Sequence, residues 1–263
     1  MSAILKYAII FITGFGVSFV SNVFGFGGAI IMVPVLSLLL PCSHLEAMAT
    51  SLMTIILVAS LNTFNFHRRG VVVWRVVPLI ATASALCAFI FARISTVVPE
   101  KILIGIFLLM LLYFAVRLFI LKRDDRASGV MKKSLLIPLG IGSASGTLSG
   151  LTGVGGGGIT TPLMLVTGLT GDVEAAPTSN AIMIFTSLFA SLSFAMAGSI
   201  SPDPSMIGYI HLDSAFILFL GSALFSPIGV HINLNFDPLW RKRILGTLLL
   251  LISIRLMAML ISG

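Results

Sequence analysis

Long apolar runs separated by short polar stretches dominate the hydrophobic pattern of this 263-residue chain. An α-helix needs about 20 apolar residues to cross a bilayer. Two runs, Ala29–Leu40 and Ile159–Leu169, are too short and predict half-helices or re-entrant arms. The other eight predict helices that span or nearly span: Ile4–Phe24, Leu45–Phe66, Val71–Arg93, Ile102–Leu121, Leu135–Leu151, Ala175–Ala197, Ala215–Ile232 and Ile244–Ile261.

The pattern of the first half recurs in the second half. Gly25–Ser51 aligns without a gap on Gly153–Ser179, at an offset of 128 residues. Biased composition would supply about two or three identities in such a window. Nine are present: Gly25/Gly153, Gly27/Gly155, Gly28/Gly156, Ile31/Ile159, Pro34/Pro162, Glu46/Glu174, Ala47/Ala175, Thr50/Thr178 and Ser51/Ser179. The chain therefore divides into a first transmembrane repeat (1–121), a charged linker (122–133) and a second repeat (134–263).

The placement of basic residues predicts that the two repeats are upside down relative to each other. Cytoplasmic loops of membrane proteins are enriched in Lys and Arg. Basic clusters stand at Arg68–Arg69, in the linker and at Arg241–Arg243, whereas the loop Ser199–Asp213 has neither Lys nor Arg. We therefore expect an all-α polytopic fold of two inverted repeats, each with about five hydrophobic segments that include a broken or re-entrant glycine-turn hairpin. Such repeats are typical of secondary transporters.

Composition places the chain in a lipid bilayer. Hydrophobic residues make up 57% and charged residues 10% of the positions, against about 25% charged residues in a soluble domain. The basic residues behind the net charge of +7 cluster in the predicted cytoplasmic loops, so we expect no nucleic-acid partner. The two cysteines, Cys42 and Cys87, are too few for a disulfide framework and read as small buried apolar residues.

The glycine-rich turns are the predicted substrate site. At membrane depth, backbone can leave helical form only where protein or a water-filled cavity satisfies it. Glycine lets N–H groups approach a ligand, and helix N-termini favour anions. No cationic side chain stands between Lys6 and Arg68 or between Lys133 and Arg241, so backbone and hydroxyls must hold an anion. The candidate residues are Gly25, Gly27, Gly28, Thr50, Ser51, Gly153, Gly155, Gly156, Gly157, Thr160, Thr161, Thr178, Ser179 and Asn180.

Several of these features have a purely structural alternative. Glu46 and Glu174 are candidates for ion coupling, but Ser43 with Glu46 also forms a capping-box pattern. Thr50 and Ser51 can bond back to helix carbonyls. The four-residue spacing of Gly142, Gly146 and Gly150 favours close helix packing. Asn22, Asn62 and Asn65 lie within apolar runs, where an unpaired amide is costly, so they either bridge helices or line the path.

Other function classes find less support in the sequence. The match of Gly153, Gly155 and Gly158 to G-x-G-x-x-G lacks a surrounding βαβ unit. Neither G-x-S-x-G nor H-E-x-x-H occurs, so we expect no enzyme, cofactor or metal site. A channel stays open as an alternative, because re-entrant hairpins also build selectivity filters, as does transport of a different small solute.

The paired glycine turns, each followed by a proline and then by E-A-x-x-T-S at the head of the next helix, resemble the sulfite exporter TauE/SafE family, also called the 4-toluene sulfonate uptake permeases. The resemblance implies a multi-pass protein of the bacterial inner membrane that moves sulfite, sulfoacetate or another organosulfur anion. It also implies coupling to an ion gradient, with H⁺ or Na⁺ as candidates, and it leaves homo-oligomerisation open. Ala29 and Ile30 stand where the second repeat has Gly157 and Gly158, so the two arms should contribute unequally.

The topology can be tested by cysteine labelling. With Asp203 changed to cysteine, we expect an impermeant thiol reagent to react from the periplasm, because the basic clusters place this loop outside. Labelling from the cytoplasm, with protection from the periplasm, would reject the inverted arrangement.

Overall fold

The computed structural model describes residues 3–24, 29–39, 42–120, 135–198 and 205–235, with a few single positions between 247 and 257. These residues form helices and one short hairpin of two antiparallel strands. The elements are α1 (Ala3–Phe24), α2 (Ala29–Leu39), α3 (His44–His67), α4 (Val77–Ser95), α5 (Glu100–Ile120), α6 (Leu136–Thr152), α7 (Gly157–Val166), α8 (Asp172–Met196), β1 (Met206–Ile207), β2 (Ile210–His211) and α9 (Leu212–Asn235).

The predicted apolar runs correspond to α1–α9 within a few residues at most ends, and α2 and α7 are as short as predicted. The tenth run lies almost entirely outside the described residues. The fourth run differs most, since α4 begins at Val77 instead of Val71. Gly70 there adopts a left-handed turn at φ 70°, and Pro78 fixes the first turn of α4. The strands β1 and β2 were not predicted.

The helices α3 and α8 form the centre of the molecule and run antiparallel to each other. Asn62, late in α3, contacts Asn180, early in α8. Near the middle of both helices, Ile55 of α3 and Ser187 of α8 both lie close to Gly155. The most apolar window of α3 is 67% buried and that of α8 is 61% buried, against 39% for α4. The two central helices are therefore enclosed by the others.

Two pairs of neighbouring helices run parallel: α9 with α3, and α6 with α4. Three contacts in the same order along both helices show that α9 runs parallel to α3: His211–Thr50, Ala215–Thr54 and Ser226–Asn65. Three more show that α6 runs parallel to α4: Gly142–Ile80, Gly146–Ser84 and Gly150–Ala88.

Contacts recur at equivalent positions of the two halves, both within a half and between the halves. The hydrogen bond from Val71 N to Phe66 O recurs from Tyr209 N to Phe194 O, each at 3.4 Å. The close approach of Gly14 to Leu218 recurs between Gly142 and Ile80. Equivalent positions of the two halves differ by 128 in residue number up to α8 and by 138 from the hairpin onward. The second half therefore has ten additional residues before β1.

The described surface exposes many large apolar side chains, while polar side chains are buried in the interior. Large apolar side chains such as Leu86, Leu109 and Leu224 are 58%, 69% and 69% exposed, while Asn62 and Asn180 are fully buried. Among the described residues, three helices are long and apolar enough to span a membrane: α3, α4 and residues Val173–Met196 of α8. This distribution is the one expected in lipid, where polar groups must find partners inside the protein.

The glycines of α6 can be tested by a matched pair of alanine variants. A Cβ at Gly146 would collide with the carbonyl oxygen of Ser84 on α4, whereas Gly140 faces open space. Gly140→Ala should leave the melting temperature unchanged or raise it, because alanine favours a helix by about 1 kcal/mol over glycine. Gly146→Ala should lower it in detergent despite the same gain in propensity. Equal melting temperatures for the two variants would show that α4 and α6 do not need this close contact.

Candidate functional site

The second glycine turn joins α6 to α7 through a backbone that only glycine adopts readily. Gly153 ends α6 at φ 73°, and Gly155 and Gly156 follow at φ 71° and 79°. Side-chain-bearing residues rarely adopt this left-handed conformation. Gly156 is the N-cap of α7, so a helix N-terminus begins directly at the turn. The sequence prediction of a broken hairpin at this position is confirmed.

The turn lies between the two central helices at about half their height. A Cβ on Gly155 would stand 2.9 Å from Ile55 Cδ1 of α3 and 3.1 Å from Ser187 Oγ of α8. Ile55 lies midway along α3. A Cβ on Gly153 would stand 2.7 Å from Met48 Cα. The glycines are thus required both by the turn and by the space around it.

Side chains hold two carbonyl groups of this turn, whereas the N–H groups from Val154 to Gly158 have no hydrogen-bond partner among the described residues. Ser51 Oγ donates to Gly153 O at 2.6 Å, and Ser145 Oγ donates to Gly156 O at 3.1 Å. Thr160 Oγ1 lies 2.7 Å from Ser145 Oγ. The N–H groups of Gly155 and Gly156 make no hydrogen bond to another described residue. Unpaired donors beside a helix N-terminus are the arrangement that binds anions.

A narrow cleft borders the turn on the side of α5. Met110, Thr152 and Ile159 line it together with Leu148, Ser149, Val154, Gly156 and Gly158. The cleft has no room for a water molecule. The turn is therefore enclosed in this conformation, and a ligand could reach it only after the surrounding helices separate.

Thr50 and Thr178 are not at the glycine turn. Thr50 Oγ1 accepts the N–H of His211 at 3.1 Å, and Thr178 Oγ1 accepts the N–H of Val73 at 3.0 Å. His211 and Val73 lie just before α9 and α4, which are equivalent in the two halves. Each hydroxyl thus ties the entry of a helix from the opposite half to a central helix, near opposite ends of the α3–α8 pair.

The remaining predicted residues divide among several environments. Asn180 Oδ1 is 3.5 Å from Asn62 Nδ2, and Asn62 Oδ1 accepts from Ser226 Oγ at 2.7 Å. Ser179 is fully buried, as are Thr160 and Gly157, and Thr161 is 8% exposed. Gly25, Gly27, Gly28 and Asn22 yield no comparable contacts, because the first three lie outside the described residues and nothing is described of the Asn22 side chain. Their predicted roles stay predictions.

Sequence reasoning missed several hydroxyls that complete the polar interior. Ser145 and Ser226 belong to this group, and Ser84 lies 2.6 Å from Thr186 between α4 and α8. One available signal was spacing, since Ser145 precedes Ser149 by four residues on a helix face already rich in glycine.

Glu46 and Glu174 occupy equivalent helix starts in different surroundings. Glu46 Oε2 accepts the N–H of Ser43 at 2.8 Å, and Ser43 Oγ accepts the N–H of Glu46 at 3.2 Å. The predicted capping box is therefore present. Glu174 Oε2 accepts the N–H of Gly171 at 3.2 Å. Glu46 is buried beside His211, whereas Glu174 is exposed.

The two threonine contacts can be tested by stability. Thr50→Val and Thr178→Val keep the side-chain shape but leave the N–H of His211 or Val73 without its acceptor. An unpaired buried donor costs about 1–3 kcal/mol, so each variant should melt at a lower temperature. Thr167→Val is the control, because Thr167 bonds only to carbonyls of its own helix. A control that loses as much stability as the other two would contradict this role.

Comparison with known proteins agrees with this architecture. The model of the sulfite exporter TauE/SafE family matches residues 10–256. A probable membrane transporter protein of Haemophilus influenzae is 24% identical over 249 residues, covering 90% of this chain and 93% of its own. A second from the same organism is 26% identical over 259 residues, covering 93% of each chain. A probable membrane transporter protein of Methanocaldococcus jannaschii is 25% identical over 257 residues, covering 94% of this chain and 93% of its own.

No solved structure matches the chain. The family model nevertheless spans both glycine-turn regions and the central helices α3 and α8. The resemblance deduced from the glycine turns and the E-A-x-x-T-S segments is therefore confirmed. The chain is a membrane protein and belongs to the sulfite exporter TauE/SafE family of transporters.

Proposed function

We propose that this protein is a multi-pass secondary transporter of the bacterial inner membrane that carries a small organosulfur anion, such as sulfite, sulfoacetate or a related sulfonate. Two inverted repeats, residues 1–121 and 134–263, move against each other in alternating access, joined by the cytoplasmic linker 122–133. Transport is coupled to an ion gradient through Glu46 or Glu174, with H⁺ or Na⁺ as the ion. The name of the family, sulfite exporter, points to this substrate class.

The observation that carries this proposal is the glycine turn at half the height of the central helices. Its N–H groups at Gly155 and Gly156 are unpaired among the described residues, and they belong to the turn at which α7 starts. An anion bound there would receive charge-assisted hydrogen bonds without a Lys or Arg side chain. A site near the midplane is also where secondary transporters bind their substrates.

Helix directions support the inverted arrangement. The equivalent helices α3 and α8 run antiparallel, while α9 runs parallel to α3 and α6 parallel to α4. A twofold axis in the membrane plane relates equivalent helices in opposite directions, whereas an axis along the membrane normal would keep them parallel. Arg68 and Arg69 at the C-terminal end of α3 favour the cytoplasm for that end.

The direct test is binding followed by flux. Purified protein is screened against sulfite, sulfoacetate, sulfate and thiosulfate, and the anions that bind are then offered to proteoliposomes. We expect saturable uptake that accumulates the anion against its gradient when an ion gradient is imposed. Non-saturating flux that never exceeds equilibrium would instead identify a channel.

Substitution at the glycine turn tests the site itself. Gly155→Val should weaken anion binding ten-fold or more, because each lost charge-assisted hydrogen bond costs about 1.5–3 kcal/mol and the added side chain meets Ile55 and Ser187. Gly155→Ala serves as a milder variant if valine prevents folding, and Gly140→Ala serves as the control in open space. A Gly155→Val protein that folds, inserts and binds as tightly as the parent would place the site elsewhere.

A further inference from the structure

A buried carboxylate and a histidine face each other where β2 meets the start of α3. Glu46 Oε2 and His211 Nε2 are 3.8 Å apart, with side chains 10% and 14% exposed. His211 Nε2 is fully enclosed and makes no hydrogen bond within the described part of the chain. The separation is too long for a hydrogen bond, yet short enough for strong attraction if the imidazole carries a charge.

The other charged groups near this pair have partners of their own. Glu100 Oε1 accepts the N–H of His44 at 2.7 Å, and Asp213 Oδ2 accepts from Tyr7 Oη at 3.0 Å. The His44 ring packs edge-on against Phe107, and the neighbouring Lys101 is exposed. The described end of α8 that packs on β2 carries no titratable side chain. Glu46 is therefore the carboxylate that His211 faces.

The pair stands at a contact that must change if this end of the molecule opens. His211 also donates its backbone N–H to Thr50, so one residue joins β2 to α3 through both its backbone and its side chain. The equivalent contact at the other end joins Thr178 to Val73, which cannot take up a proton, and Glu174 there is exposed. Only the end at Glu46 thus combines a helix tether with a protonatable pair among the described residues.

We propose that Glu46 and His211 together form the proton site that couples transport to the proton gradient, which assigns H⁺ as the coupling ion and Glu46 as the coupling carboxylate. This inference rests on the proposed function. A proton from the extracytoplasmic water binds His211 Nε2, and the resulting imidazolium holds the Glu46 carboxylate and draws β2 against α3. Release of the proton removes that attraction, so this end opens more readily. Histidine is the side chain suited to such a change at physiological pH.

Coupling is tested in proteoliposomes with ³⁵S-sulfite as the probe. Glu46→Gln and His211→Gln should lose at least ten-fold in accumulation driven by a pH gradient, yet retain sulfite exchange between the two sides, which needs no net proton movement. His67→Gln, a histidine at the opposite exposed end of α3, is the control. Driven accumulation at the parental level in both variants would overturn the proposal. So would an equal loss in Glu174→Gln, whose carboxylate has no histidine beside it.

A measurement without substrate separates this inference from the transport proposal. In a background with Cys42→Ser and Cys87→Ser, Ala215→Cys places a thiol at the buried start of α9, where Ala215 is 2% exposed. Because thiolate formation alone speeds the reaction with an impermeant maleimide as pH rises, its rate is divided by that of the same cysteine in His211→Gln protein at each pH. This ratio should rise as pH increases. A ratio that does not change with pH would overturn the proton site. Failure of the parent to bind or exchange any tested anion would instead overturn the proposed function, while the labelling result still decides the proton site.

Discussion

The constraint on which this structure depends is that backbone polar groups inside a membrane need partners from the protein. A turn with three left-handed glycines meets that constraint only because α3 and α8 enclose it. Ser51 from α3 and Ser145 from α6 take up its carbonyl groups. The N–H groups of the turn, among them those of Gly155 and Gly156, have no partner among the described residues, so a ligand that accepts hydrogen bonds would gain most from binding here.

Close packing at glycines holds the outer helices against one another. Lipid offers no hydrophobic drive between helices, so contacts must come from packing and hydrogen bonds. Gly142, Gly146 and Gly150 bring α6 directly onto the backbone of α4, and Gly14 brings α1 onto α9. These are contacts between the first helix of one half and the fourth helix of the other. Each half therefore packs on the other through these glycine contacts.

The sequence was sufficient for the existence of the helices α1–α9 and for the two short arms, because apolar run length and glycine position are local properties. It was also sufficient for the capping box at Ser43 and Glu46, a pattern spanning three residues. Contacts that depend on how the halves meet were beyond it. Thr50 and His211 lie 161 residues apart, and the ten additional residues before β1 hide the equivalence of His211 and Val73. Sequence reasoning predicted a ligand-binding role for this threonine in both halves but did not anticipate that each hydroxyl accepts a backbone N–H.

The two ends of the α3–α8 pair share one kind of contact but differ in chemistry. Both ends use the same tether, a threonine hydroxyl that accepts an N–H at the entry of a helix from the other half. With equal tethers, the two ends would have the same hydrogen bond holding them closed. His211 and buried Glu46 at one end, against Val73 and exposed Glu174 at the other, break that equality by chemistry rather than by architecture. A ligand can shift an equilibrium only through differential affinity for the two states, and the proton site proposed at Glu46 and His211 lies at one end alone.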